Sequence, residues 1–174
     1  MSFGVFFISA AIYAAVLFPV LEVYILTQKR YLVIHHTVGP DPGDARYHVV
    51  IAKNGKPRFA ALPEAPVSAT YLYNSYTANI ALVGDFTREH PTEAQIKTLE
   101  QILVAWCWRL SLSESDITYH GWIGQNAPGG PRYSTQCAGD NLICLLPEIR
   151  KRVKRYLIKS PSVPYRSIPK NTGR

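Results

Sequence analysis

Two stretches decide the fold: Tyr31-Leu32-Val33-Ile34-His35-His36 and Asn79-Ile80-Ala81-Leu82-Val83-Gly84. Each is too short and too continuously apolar for an amphipathic surface helix, and the second ends on glycine. Both read as strands buried on two faces, the pattern of a sheet covered by helices. Working outward, Tyr47 to Ala52 reads as a further strand. Lys53-Asn54-Gly55-Lys56 then gives a hairpin signal, with Pro57 to Ala61 returning. Asp116 to Tyr119 predicts one more short strand, and Thr37 to Asp44 a turn-rich loop. Leu62 to Tyr76 reads as a Pro/Ala/Tyr-rich surface segment.

The strongest helix signal begins at Thr92-Glu93-Ala94-Gln95, a capping box, after which Ile96, Leu99, Ile102, Leu103, Trp106 and Leu110 recur at helical spacing. Asp140 is positioned to cap a last helix, whose Pro147 predicts a kink or a short first turn. The order strand, hairpin, strand, helix, strand, helix predicts the α/β class, a mixed β-sheet flanked by helices, over 28–159. No internal repeat is present.

At 174 residues, with 47% hydrophobic and 18% charged, the chain is globular in composition rather than disordered. A formal net charge of +7 favours an anionic partner: nucleic acid, anionic lipid or a bacterial wall polymer. The basic run Arg150-Lys151-Arg152, Lys154-Arg155 and Lys159 either complements a helix C-terminus or docks on such a partner. It lacks interleaved aromatics and any recognised motif, so no nucleic acid is expected. Three cysteines are too few for a disulfide framework, and Cys107 and Cys144 are expected as buried free thiols.

Phe3 to Val20 carries no charge, and apolar character resumes at Val23. Residues 1–27 therefore predict a hydrophobic N-terminal segment, an uncleaved membrane anchor contacting the bilayer through residues 3–27, with a docked buried helix as the alternative. Lys29 and Arg30 follow it, which by the positive-inside rule places the domain in the cytoplasm. That placement conflicts with a role at the wall. Ser160 onward, with Pro161, Pro164 and Pro169, reads as a basic tail, 160–174.

Chemistry concentrates at three points. His35-His36 ends the first strand, His120 follows another, and Cys137 precedes the last helix. Strand side chains alternate faces, so one histidine of the pair can enter a site and the other must pack elsewhere. Two imidazoles and a thiolate leave one position of a tetrahedral Zn2+ open, as a catalytic zinc requires. A Cys-His peptidase using Cys137 with His35 or His120 is a rival, although the sequence around Cys137 fits no nucleophile motif.

The chain resembles the zinc amidase domain shared by type-2 N-acetylmuramoyl-L-alanine amidases, phage amidase lysozymes and peptidoglycan recognition proteins. The resemblance is carried by Ile34-His35-His36-Thr37, Tyr47-His48-Val49-Val50, the 79–86 run, Pro91-Thr92-Glu93-Ala94-Gln95-Ile96, Tyr119-His120 and Thr135-Gln136-Cys137-Ala138-Gly139-Asp140, in family order. It implies His35, His120 and Cys137 as zinc ligands, Tyr47 as the catalytic tyrosine over the site, and Thr135 at the family's Lys/Thr position. It implies hydrolysis of the amide between N-acetylmuramic acid and L-alanine in peptidoglycan, at the cell envelope or in a phage endolysin or virion lysin. A non-catalytic peptidoglycan-binding module is the alternative.

Three departures stand out. Thr37 to Arg46 is too short for the helix that walls the family's substrate groove. A family histidine falls near Ala69-Thr70, where none is present. The Gly121 to Gln136 segment is long and reads as a lid loop, with Trp122, Arg132 and Tyr133 available for substrate contact.

Overall fold

The first strand, β1 (Tyr31–His36), is the spine of the molecule, and five of its six residues are buried. In the computed structural model, which describes residues 29–43, 46–128 and 132–159, β1 pairs on both sides with parallel strands. On one side lies β4 (Thr77–Leu82), with His35 level with Ala81; on the other lies β5 (Ile117–Tyr119). Beyond β4 come β2 (Val49–Ile51), parallel to it, and β3 (Pro57–Phe59), antiparallel at the edge. The order is β3-β2-β4-β1-β5. Parallel neighbours on both sides explain why β1 and β4 read as continuous apolar runs rather than alternating ones.

Alternation along the strands divides the core. Leu32, Ile34, Ile80 and Leu82 face the helices α1 (Glu93–Leu110) and α4 (Leu146–Lys159) and join the main cluster with Leu99, Leu103, Ile149 and Val153. Val33 faces the other way and packs with Tyr73, Ile123 and Ala127 in a smaller cluster. His35 lies two residues along from Val33, so it shares this second face.

The Thr92 capping box is present, and Gln95 does more than close it. Its side-chain amide donates to the carbonyls of Ile51 (3.2 Å) and Val83 (2.9 Å), tying the first turn of α1 to the ends of β2 and β4. Gly55, at φ 81°, turns the β2–β3 hairpin directly onto this turn, where a Cβ would lie 2.8 Å from the carbonyl oxygen of Ala94.

Several boundaries differ from the sequence reading. β4 begins and ends two residues earlier than expected, because Thr77 is held from below by its hydroxyl bond to the Tyr73 carbonyl. Tyr47 precedes β2 rather than belonging to it. The Leu62 to Tyr76 segment is not wholly surface: Val67 and Tyr73 are buried, Tyr73 by closing the second face. Gly121 does not open a loop; it lies in a helix, α2 (His120–Asn126), whose Ile123 plugs the second core. Two glycines and few apolar residues hid that helix from a periodicity reading. Asp140 is not a cap but the first residue of a short helix, α3 (Asp140–Ile143), and Pro147 sits in the first turn of α4, where its missing N–H costs nothing. Cys107 is a buried free thiol as expected, whereas Cys144 is exposed.

The basic run of α4 is partly neutralised within the molecule. Arg152 meets Glu100 at 2.6 Å, Lys154 meets Glu114 at 3.0 Å, and Lys151 and Arg155 approach Glu148. Among the described residues no helix is long and apolar enough to cross a membrane. The hydrophobic N-terminal segment and the basic tail lie outside the described residues.

Candidate metal centre

The parallel strands β1 and β5 end side by side, and ligands bind at the carboxyl ends of parallel strands in sheets of this kind. His35 is the fifth residue of β1, and His120 is the first residue after β5. Cys137 arrives from the segment before α3. One ligand atom from each of the three lies within 4.8 Å of the others. The His35 and His120 rings are 4.7 Å apart, and the Nδ1 of His35 faces the Cys137 Sγ at 3.6 Å.

The Cys137 segment is fixed from three directions. Its carbonyl accepts from the Gly121 N–H at 2.7 Å, at the start of α2. Its own N–H donates to the Thr135 hydroxyl at 3.2 Å, so Thr135 shapes the turn that presents the thiol. Gly139, at φ 86°, lies flat against the backbone after β4, where a Cβ would come within 2.5 Å of the Phe86 carbonyl carbon. The backbone N–H of His36 points at the sulfur at 3.4 Å. The ring of His36 turns to the opposite side and accepts the Phe86 N–H at 3.2 Å, so only His35 of the pair enters the cluster.

His35 is 1% exposed, and its Nε2 is bonded to the Asn79 Oδ1 at 2.9 Å. Burial, with His120 nearby, depresses the His35 pKa to about 3; burial alone takes His120 to about 4. Burial pushes the Cys137 thiol up to about 12, opposed in part by the His36 N–H. The Nε2 of His120 is buried with no hydrogen-bond partner among the described residues. Two neutral imidazoles, one of them with an unmatched buried nitrogen, and a thiol that ionises only beside a strong positive charge fit a bound Zn2+.

A cleft of about 580 Å³ opens over the cluster. His120, Thr135 and Cys137 line it, with Thr37, Arg46, Tyr47, Asp85 and Arg88. The Tyr47 ring packs on His35, with centroids 5.1 Å apart. Among the described residues of 37–46 there is no helix. The three residues expected at the substrate are not among those lining this cleft; Trp122 and Tyr133 pack on the small cluster of Val33, Tyr73, Ile123 and Ala127. Tyr133 packs edge-on against His120, at 5.7 Å, and its hydroxyl is buried without a partner among the described residues. Arg132 donates to the Gln125 carbonyl, and Trp122 packs on Tyr31, with ring centroids 5.7 Å apart. Asn79 was not singled out by the sequence reading; the signal available was a lone polar residue inside an otherwise apolar buried strand.

Burial of neutral histidines gives the metal-free protein a defined acid limit. His48 is also buried, with its pKa lowered to about 4 by burial. All three folded values lie below ~6.5, the value in an unfolded chain. As pH falls below ~6.5 the unfolded state therefore takes up protons that the fold refuses. Stability is complete above that value and falls towards about 4. Urea melts in the presence of chelator from pH 7.5 down to 4.5 are expected to show a continuous fall, and a flat profile would contradict it.

Two histidines at the carboxyl ends of neighbouring strands and a cysteine, opening on a polar cleft, form a group that could hold a metal ion. The chain belongs to the N-acetylmuramoyl-L-alanine amidase family, whose model matches residues 26–140. Among solved structures, it is similar to N-acetylmuramoyl-L-alanine amidase LysC from Clostridium intestinale URNW, at 21% identity and TM-score 0.61, covering 74% of this chain and 87% of that one. Drosophila Peptidoglycan Recognition Protein (PGRP)-SA is similar at 23% identity and TM-score 0.57, covering 70% and 79%. The Ph2119 endolysin from Thermus scotoductus MAT2119 bacteriophage Ph2119 is similar at 19% identity and TM-score 0.55, covering 70% and 84%. No curated protein sequence matches the chain.

Proposed function

We propose that the chain is a zinc-dependent amidase that hydrolyses the bond between the lactyl group of N-acetylmuramic acid and the L-alanine of the peptidoglycan stem peptide. The observation that carries this is the convergence of His35, His120 and Cys137 within 4.8 Å at the cleft, in a chain of the amidase family. These three residues would hold one Zn2+, which supplies Lewis acidity for attack of water on an amide.

The chain's own groups divide the remaining work. Tyr47, packed on His35 and lining the cleft, donates a hydrogen bond to the oxygen on which negative charge develops. Thr135 holds the turn that presents Cys137. Arg46, and Arg88 paired with Asp85 at 3.5 Å, line the cleft and bring guanidinium groups suited to the carboxylates of a stem peptide. Tyr133 backs His120, and Trp122 and Arg132 brace α2; contact of these three with substrate belongs to the same proposal. The setting is phage-associated or at the cell envelope, with peptidoglycan as partner. Membrane contact through residues 3–27 remains part of the proposal from sequence.

The test is release of stem peptides from purified sacculi. A new L-alanine N-terminus, lost on chelation and restored by zinc, is expected. Zinc binding without release would identify a peptidoglycan-binding module instead. Release that survives chelation but is blocked by thiol alkylation would favour the Cys-His peptidase.

A further inference from the structure

We propose that Asn79 is a positioning residue for the metal centre, its side-chain carbonyl fixing the His35 tautomer so that the Nδ1 lone pair is held towards Cys137. The inference rests on the zinc reading above, but its central claim concerns the metal-free protein.

One arrangement satisfies every hydrogen bond around Asn79 together. The Thr77 hydroxyl has a single hydrogen, and it donates that hydrogen to the Tyr73 carbonyl at 2.9 Å. Towards Asn79 the same oxygen can therefore only accept. It accepts from the Asn79 Nδ2 at 3.1 Å, and the Thr77 carbonyl lies 3.4 Å from the same nitrogen. The nitrogen of the amide thus faces Thr77, and its oxygen faces the other way. That oxygen accepts from the Thr70 hydroxyl at 2.6 Å and meets the His35 Nε2 at 2.9 Å. An oxygen opposite Nε2 requires Nε2 to carry the proton. Nδ1 is then left with its lone pair, 3.6 Å from the Cys137 Sγ.

The backbone of Asn79 is equally constrained. Its N–H donates to the His48 Nδ1 at 2.9 Å, and its carbonyl accepts the His48 N–H at 3.1 Å. His48 in turn donates through Nε2 to the Ala65 carbonyl at 2.8 Å. Asn79 is fully buried, so no water competes for these partners. Outer partners of this kind orient a ligating imidazole and set its basicity. Here the partner is a neutral amide rather than a carboxylate, so it orients His35 without adding a negative charge to the site.

Long-range 1H–15N correlation spectra of the metal-free protein, labelled at histidine nitrogens, read the tautomer directly. Wild type is expected to show His35 protonated at Nε2; protonation at Nδ1 overturns the proposal without any variant. Asn79→Ala is expected to give a mixed or reversed tautomer and to weaken zinc binding by about 10- to 100-fold in chelator competition. Asn79→Asp, which keeps an acceptor oxygen, is expected to recover the Nε2–H form. A lower melting temperature for metal-free Asn79→Ala with an unchanged tautomer and zinc affinity within twofold of wild type would assign it a purely structural role and overturn the proposal. Failure of wild type to bind zinc would refute the functional reading instead, leaving the tautomer result to stand by itself.

Discussion

Cys137→Ala is expected to abolish peptidoglycan hydrolysis, with a fall of more than ~10³-fold in kcat/KM. Cys137 is the only donor of the three that can bring a negative charge, and with His120 it lines the cleft. A metal Lewis acid contributes several kcal/mol of charge stabilisation in the transition state, and each ~1.4 kcal/mol is tenfold in rate. Without the thiolate only two neutral imidazoles remain to hold the ion. The substitution leaves the local fold in place, since the Gly121 and Gly139 contacts of the segment are made by backbone. Circular dichroism of the variant should match wild type, while zinc content after dialysis should be near zero. A folded Cys137→Ala protein that retains stoichiometric zinc and activity would remove Cys137 from the centre.

Tyr47→Phe is the second large effect. Its ring packs on His35 and lines the cleft, and the phenylalanine ring can keep that contact. On the proposed mechanism what is lost is one hydrogen-bond donor to developing charge, for which a single oxyanion donor gives a guide of about 10²–10³ in kcat. Zinc affinity and melting temperature should stay at wild-type levels, and KM should change little. This separation distinguishes the residue from Cys137, where metal and activity fall together. A kcat within about threefold of wild type would mean that the Tyr47 ring only packs.

Much of this site could be read before any coordinates, for a physical reason. A ligand at the end of a buried strand carries two signals at once, the apolar run that forms the strand and the polar residue that ends it. His35 and His120 both have this form. Cys137 lies in a turn without periodicity, and it became legible through the ordered motifs of the family rather than through its own surroundings. The capping box at Thr92 was readable because its chemistry is local, within three residues. What escaped was non-local. The bond from Asn79 to His35 spans 44 residues, and no pattern along the chain announces it. Helix α2 escaped because its stability comes from Ile123 entering the second core, not from propensity in a glycine-containing stretch. Tyr73 looked like surface for the same reason: its burial depends on α2 being where it is.

The distance along the chain between the donors has one more result. His35 and Cys137 are separated by 102 residues, and His120 reaches them only because β5 docks beside β1. An unfolded chain therefore holds no preformed seat for an ion. Any ion bound there prefers the native state alone, and its binding free energy adds to the resistance of the whole sheet to unfolding, about 2.7 kcal/mol at a hundred times the dissociation constant. On the proposed zinc reading, the supply of metal in the surroundings would set the stability of the fold together with its activity.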